Sequence, residues 1–249
     1  MSARREEMLR EMGITPLWKL RNELRSDDVA LPVAAASTAV AGQEHSVAKT
    51  GGPDWTQLKA LVSGCTACAL HEKRNKTVFG VGDERAEWLF VGEGPGADED
   101  QQGEPFVGQA GKLLDNMLAA IDLQRGSNVY IANIVKCRPP GNRNPQPEEA
   151  GACAPYLQRQ IELIKPRLIV ALGKVAAVNL LGRDASIASL RGAVHDYRGI
   201  PLIVTYHPAY LLRTLGDKAK AWEDLCFAVE TMRGLKTASA ETAQSLRGE

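Results

Sequence analysis

A chain of 249 residues with 30 basic and 30 acidic side chains has no formal net charge at neutral pH, so its overall charge does not point to a polyanionic partner. The sequence contains no run of about 18 apolar residues, and we therefore expect no membrane-spanning helix. The first residues lack the apolar core of a signal peptide, which predicts a cytoplasmic protein. In that reducing compartment the five cysteines are expected to be thiols or metal ligands and not disulfides.

The beginning of the chain differs in composition from the remainder. Residues 5–25 have helical character, and residues 26–53 are rich in Ala, Ser, Thr, Val and Gly without periodicity, which is typical of a linker. We therefore expect residues 1–54 to be a flexible N-terminal extension, a candidate binding segment for an unidentified protein partner. A globular domain is expected at 55–235, followed by a C-terminal tail at 236–249.

Within the globular domain, short apolar runs alternate with segments of helical periodicity. The runs of strand length are Trp88–Val91, Val129–Ile134, Leu168–Leu172 and Leu202–Tyr206. The segments with apolar residues at helical spacing are Lys112–Ile121, Glu148–Ile164, Lys174–Leu181 and Lys218–Met232. This alternation predicts an α/β fold, a four-stranded parallel sheet flanked by helices. We expect Val194–Arg198, turned by Gly199, to pair with the last strand as an edge hairpin.

The first strand runs into a glycine-rich turn at Gly92–Gly96, continued by Gly103–Gly111. The turn fits the loose dinucleotide pattern G-x-G-x-x-A, which requires a helix to open at once so that its N–H groups face a pyrophosphate. Three acids follow at 98–100, and the first good helical stretch is expected near Ala110, so the phosphate interpretation fails. We expect a loop that holds a flat, uncharged ligand against backbone and Phe106.

Polar residues occur where three of the predicted strands end. These are Glu93, Asn133 and His207, the last held extended by the following proline. A single such residue is usually structural or solvated. Because ligands bind beyond the carboxyl ends of parallel strands, three of them beside a glycine-rich floor predict a binding site.

Four of the cysteines form two pairs. Cys65 and Cys68 make a Cys-x-x-Cys, and Cys137 and Cys153 follow with 15 residues between them. Four thiolates suit zinc or an iron–sulfur cluster, and the wide second spacing favours the cluster. Four unrelated buried thiols remain the alternative. Cys226 lies on an apolar helical face and is expected in the core.

The motifs that carry these residues resemble those of a known family. The segments Gly92–Gly96, Pro105–Gly111, Asn133–Pro140 and His207–Arg213 resemble, in this order, the motifs of family 4 uracil-DNA glycosylases, the iron–sulfur members of the uracil glycosylase superfamily. The resemblance covers roughly residues 55–235. It implies the uracil-DNA glycosylase fold and a [4Fe–4S] cluster bound by the four paired cysteines, Cys65, Cys68, Cys137 and Cys153.

The resemblance also implies roles around a flipped base. The Asn133 carboxamide matches the O4 acceptor and N3 donor of uracil, and Phe106 stacks on the base. His207 donates to O2, where negative charge develops, and Glu93 orients the attacking water. Gly94 lets the backbone approach the base. The best-known branch of the superfamily has an aspartate at the position of Gly94, which leaves the water-activating group open.

DNA contacts are expected from the end of the last motif. Tyr210, Leu211 and Leu212 are candidates to fill the space left by the flipped nucleotide, with ordinary packing at a helix start as the alternative. Basic side chains near the motifs are candidates for phosphate contacts, with scattered surface charge as the alternative: Lys136, Arg138, Arg143 and Arg213.

We therefore predict a monomeric, monofunctional DNA glycosylase. It hydrolyses the N-glycosidic bond of uracil in single- and double-stranded DNA, releases free uracil and leaves an abasic site. Two alternatives stay open from the residues alone: an electron-transfer protein that uses the cluster, and a zinc-stapled DNA-binding module without catalysis.

Overall fold

The computed structural model describes residues 51–245, with side chains up to Ser239 in the last helix. The described residues belong to one compact unit. The predicted extension lies almost wholly outside the described residues, so both its flexibility and its binding partner stay predictions. Within the described part of the chain, no helix is both long and apolar enough to cross a membrane.

The sheet has six strands in the order β1-β3-β2-β4-β6-β5. The strands are β1 Val81–Gly82, β2 Trp88–Gly92, β3 Val129–Asn133, β4 Leu168–Leu172, β5 His195–Tyr197 and β6 Ile200–Thr205. The four central strands are parallel, as predicted. The predicted edge hairpin is confirmed, because β5 pairs antiparallel with β6. Strand β1, antiparallel to β3, was not predicted, since two residues are too few for a periodic signal.

Helices lie between the strands along the chain and also after the last strand. The α-helices are Trp55–Ser63, Ala97–Gln102, Gln109–Ala120, Pro147–Ile164, Lys174–Leu181, Ile187–Leu190, Pro208–Leu211 and Lys218–Ser245. Short 3₁₀ turns lie at Ala69–Glu72, Pro140–Asn142 and Leu215–Asp217. The four predicted helices are present, and the last continues past residue 235, where the tail was expected to begin.

The expectation of no helix directly after the glycine turn is wrong. A helix begins at Ala97, and the Glu99 carboxylate caps it by accepting from the Gly96 N–H at 3.0 Å. The same carboxylate accepts from the N–H groups of Val107 and Gly108, at 2.9 and 3.1 Å. A carboxylate therefore already occupies the N–H at the start of this helix and places negative charge there, which disfavours a phosphate at the turn.

The core explains the apolar runs. Every residue of β2, β3 and β4 is buried, because helices cover both faces of the sheet. The parallel register places Gly92 beside Asn133, and Leu172 beside Thr205. The carboxyl ends of the strands thus meet at one edge of the sheet, directly before the predicted polar residues.

Candidate active site

A pocket of about 440 Å³ lies beyond the carboxyl ends of the central strands. This volume is in the range typical of small-ligand sites. The structure brings most of the predicted site residues to its walls: Glu93, Gly94, Phe106, Asn133, His207, Tyr210 and Arg213. Leu211 does not line the pocket, because it is 1% exposed and packs in a cluster with Met117 and Leu225.

Asn133 lines this pocket and carries an unused acceptor. Its side-chain oxygen is buried and has no hydrogen-bond partner among the described residues. A buried acceptor without a partner costs about 1–3 kcal/mol, which marks the position as one awaiting a ligand donor. The neighbouring strand allows this arrangement only through Gly92, because a Cβ there would lie 2.5 Å from Asn133 Oδ1.

Phe106 forms an apolar wall of the pocket. Its ring is buried and lies 5.5 Å from the His207 ring, measured between centroids, at an angle of 30°. Its backbone has φ 56°, in the left-handed region that few residues other than glycine adopt. The ring also approaches Gly92, since a Cβ there would lie 2.5 Å from Phe106 Cζ. Phe106 is therefore held in a strained conformation against the pocket.

His207 is held as a neutral ring. It caps the helix Pro208–Leu211, and its Nδ1 accepts from the Ala209 N–H at 3.1 Å. Burial, with a contribution from Arg213, lowers the pKa of His207 to about 4, against an opposing effect of Glu99. Because Nδ1 is the acceptor, the proton of the neutral ring resides on Nε2. The ring therefore offers an N–H donor at physiological pH.

Two acids near the pocket differ in their surroundings. Glu93 is half-buried directly after β2, and burial raises the pKa of its carboxyl. A raised carboxyl pKa brings a general base closer to the working pH. Glu99, whose role the sequence did not reveal, is instead committed to three backbone N–H groups. Glu93 is thus the acid that remains available for chemistry.

Two glycines shape the site, and the sequence analysis assigned a role to Gly94 but not to Gly173. Gly173 follows β4 with φ 91°, and a Cβ there would lie 2.8 Å from His207 Cβ. At Gly94, a Cβ would lie 2.7 Å from Val135 Cγ2. Only the contact distances in three dimensions reveal these constraints, because a glycine in sequence indicates flexibility as readily as close approach.

The candidate phosphate contacts are not equivalent. Lys136 is 1% exposed, and its ammonium donates to the Asn133 carbonyl at 2.9 Å and to Gln160 Oε1 at 2.6 Å, so its expected phosphate contact is wrong. Arg143 is engaged by Glu149 through two hydrogen bonds of 2.6 and 2.8 Å. Arg213 is exposed and lines the pocket. Of these three, Arg213 is therefore the cation best placed for a phosphate.

A second cavity is lined by all four paired cysteines, Cys65, Cys68, Cys137 and Cys153, together with Arg74 and Tyr156. Arg74 Nη1 donates to Cys137 Sγ at 3.2 Å, and the Lys136 N–H points to Cys153 Sγ at 3.3 Å. Burial raises the pKa of the Cys153 thiol to about 11. Donors aimed at sulfur suit thiolates held by a metal group.

Within the described residues, no group of three or more His, Cys, Asp or Glu side chains is arranged to hold a metal ion. Cys226 lies apart on the last helix and is half-buried, not in the core, next to Trp222, which is 45% exposed.

Comparisons with known proteins agree with this arrangement. The family model of the uracil DNA glycosylase superfamily matches residues 79–226. The chain is 48% identical over 159 residues to the type-4 uracil-DNA glycosylase of Archaeoglobus fulgidus, and the aligned segment covers 61% of this chain and 79% of the relative. It is 47% identical over 161 residues to the type-4 enzyme of Thermotoga maritima, covering 64% and 83% of the two chains. A type-5 uracil-DNA glycosylase of Pyrobaculum aerophilum is 33% identical over 149 residues, covering 52% and 64%.

Proposed function

The chain belongs to the uracil-DNA glycosylase superfamily and to its type-4 branch, and we propose that it excises uracil from DNA in DNA repair by hydrolysing the N-glycosidic bond. The products are free uracil and an abasic site. Single- and double-stranded DNA are both proposed substrates, because extruding a base costs least where it is mismatched or unpaired. That the enzyme acts as a monomer in the cytoplasm stays a prediction.

The observation that carries the proposal is the buried, unpartnered Oδ1 of Asn133 beside the Phe106 ring. Uracil supplies the missing donor through its N3–H, while the Asn133 amide nitrogen donates to O4. Cytosine has an acceptor at N3 and a donor at its exocyclic amine, so both contacts would be lost. Each unmatched buried group costs about 1–3 kcal/mol, which is enough to reject cytosine.

We assign His207 to the transition state. As the glycosidic bond breaks, negative charge develops on the departing uracil, and the neutral ring donates its Nε2–H to O2. A preorganised donor of this kind contributes about 3–4 kcal/mol to the barrier reduction. The low pKa of His207 supports this role, because the ring keeps the same protonation state across the physiological range.

We assign Glu93 to the attacking water. Its carboxylate lines the pocket next to Gly94, where an added Cβ would contact Val135. A side chain at Gly94, such as the aspartate of the best-known branch, would have to displace Val135. In this chain Glu93 is therefore the better-placed acid to orient the water. The raised pKa of Glu93 fits a carboxylate that accepts a hydrogen bond from water and stabilises the cationic sugar.

We propose that Leu212 and Arg213 make the DNA contacts at the end of the last motif. Leu212 is 42% exposed, whereas Leu211 is buried, which supports the packing alternative for Leu211. Tyr210 is fixed by a 2.6 Å hydrogen bond from its hydroxyl to Asp217 and stacks on Tyr206 at 5.2 Å. Leu212 is therefore the better candidate to fill the space left by the flipped nucleotide.

We propose that the second cavity holds a [4Fe–4S] cluster through Cys65, Cys68, Cys137 and Cys153. The donor set fits, because four thiols line one cavity and N–H groups point at two of the sulfurs. When bound, the cluster supplies iron–sulfur bonds that tie three separate segments of the chain together. The neighbouring Arg74 and Lys136 keep their roles as hydrogen-bond donors to sulfur.

A uracil-release assay under single-turnover conditions tests the proposal. Asn133→Ala is expected to lower the rate on a G·U duplex by about 100-fold, since losing about 2–3 kcal/mol corresponds to that factor. Asn179→Ala is the matched control, because Asn179 is exposed and its side-chain amide donates to the Val175 carbonyl of its own helix. Failure of the parent enzyme to release uracil, or full activity in Asn133→Ala, would overturn the proposed function.

A further inference from the structure

The turn that carries Phe106 is held by groups outside the pocket. Phe106 has φ 56°, and a non-glycine residue keeps this conformation only when its surroundings require it. One constraint is Gly111 of the following helix, since a Cβ there would collide with the Phe106 carbonyl oxygen. Close approach of this helix therefore fixes one side of the turn.

The other constraint is the guanidinium of Arg125. Its Nη1 donates to the Pro105 carbonyl at 2.7 Å and its Nη2 donates to the Phe106 carbonyl at 2.8 Å. Its Nε donates to Asp115 Oδ1 at 3.0 Å, and Asp115 lies on the helix Gln109–Ala120. A planar guanidinium fixes the direction of each of these bonds, which a lysine ammonium cannot do.

We infer that Arg125 is a positioning residue for base recognition, which holds the strained Phe106 turn so that the ring faces the flipped uracil. This inference rests on the proposed function, and it assigns a role to a residue that does not line the pocket. Without the two carbonyl contacts, the turn can relax out of the left-handed region and carry the ring away. Asp115 orients the guanidinium and completes the arrangement.

Arg159 is a matched control for Arg125, because it can separate an effect on positioning from an effect on stability. Arg159 also donates to two consecutive carbonyls, those of Gly52 and Pro53 at 3.0 and 2.7 Å. It too is bonded to a carboxylate, that of Glu162 at 2.9 Å. Removal of Arg159 therefore deletes the same set of hydrogen bonds away from the Phe106 turn.

The experiment is a double-mutant cycle on single-turnover uracil release, measured across substrate concentrations with the holoenzyme. Phe106→Ala is expected to weaken apparent substrate affinity by about 10- to 100-fold, the range for loss of one base–aromatic stack. Arg125→Ala is expected to weaken it by about 10-fold, with a smaller fall in the saturating rate, because the stack forms in both the ground and transition states. Combined with Phe106→Ala, it should add less than about 2-fold.

Two further variants complete the design. Arg159→Ala should keep wild-type affinity although it loses an equivalent hydrogen-bond set. Arg125→Lys should fold and still lose affinity, because a point charge cannot hold two carbonyls in fixed directions. It therefore stands in for Arg125→Ala if that variant does not fold.

The outcomes separate this inference from the proposed function. If Phe106→Ala itself keeps wild-type affinity, the stacking assignment is wrong. If Phe106→Ala loses affinity while both Arg125 variants do not, or if their effects add fully to that of Phe106→Ala, the positioning role alone is overturned. If Arg159→Ala loses as much substrate affinity as Arg125→Ala, Arg125 is a general stabilising residue and not a positioning residue.

Discussion

Gly92→Ala is expected to disable the pocket while leaving its chemical groups in place. An added Cβ would lie 2.5 Å from Asn133 Oδ1 and 2.5 Å from Phe106 Cζ. Non-bonded contacts normally lie at about 3.5–4.0 Å, so each neighbour has to move by about 1 Å. Gly92 is outside the positive-φ region, and alanine therefore introduces a steric conflict without backbone strain.

The size of the effect follows from this displacement. Misplacing a reacting group by about 1 Å lowers an enzymatic rate by about 100-fold, and we expect that loss in single-turnover uracil release. Overpacking at the buried end of β2 is expected to lower the free energy of unfolding by about 1–3 kcal/mol. Urea unfolding followed by circular dichroism measures this second quantity independently.

The matched control is Gly151→Ala in the helix Pro147–Ile164. A Cβ there meets no heavy atom within 4 Å, so activity should be unchanged. Stability should rise by about 0.5–1 kcal/mol, because alanine is the better helix former. If Gly92→Ala releases uracil within about 3-fold of the parent enzyme, the pocket walls can yield, and the reasoning that Gly92 sets their spacing is refuted.

Three other predictions concern charge and metal. His207→Ala should lower the single-turnover rate by about 10²–10³ with substrate binding almost unchanged, because His207 is assigned to the transition state; an equal loss of binding would contradict this. The rate should fall as the pH drops through the raised pKa of Glu93, which gives the pH profile an acid limb. Glu93→Gln should remove this limb. If the limb persists in Glu93→Gln, another group titrates. The purified protein should contain iron and acid-labile sulfide. Cys137→Ala should lose both, together with stability, whereas Cys226→Ala should keep them. Stoichiometric zinc without iron would contradict the cluster.

Protein stability should also depend on the protonation of His207. The folded pKa of about 4 lies below the ordinary value of 6.5, so the unfolded chain binds this proton first. The fold is stabilised by His207 as long as the ring is neutral in the unfolded chain as well. This stabilisation is fully present above about pH 6.5 and is lost as the pH falls toward 4. Because His207 is expected to stay neutral until about pH 4, it should not produce the acid limb assigned to Glu93.

The central sheet and the strand-end residues could be predicted from sequence because both depend on local signals. Strands buried on both faces appear as continuous apolar runs, and parallel strands bring their carboxyl ends to one edge. Glu93, Asn133 and His207 therefore meet at one pocket even though they are far apart in sequence. Strand β1 escaped prediction because its two residues carry no such pattern.

Other features depend on contacts that no local pattern reveals. The acids at 98–100 were interpreted by their charge, whereas Glu99 folds back onto backbone N–H groups. Leu211 and Leu212 differ by one position, and only the orientation of their short helix decides which is buried. Arg125 lies 19 residues from the Phe106 carbonyl that it holds, so its role requires the tertiary structure.

The cysteine cavity and the proposed uracil pocket are joined through one buried residue. The Lys136 N–H points to Cys153 Sγ, while its ammonium donates to the carbonyl of Asn133. Its second bond, to Gln160 Oε1, ties this loop to the helix that carries Cys153. A segment that carries a proposed cluster ligand, Cys137, therefore also fixes the backbone of Asn133, the residue proposed to read the base. Loss of the cluster should for this reason reach the pocket through Asn133, although no cysteine lines it.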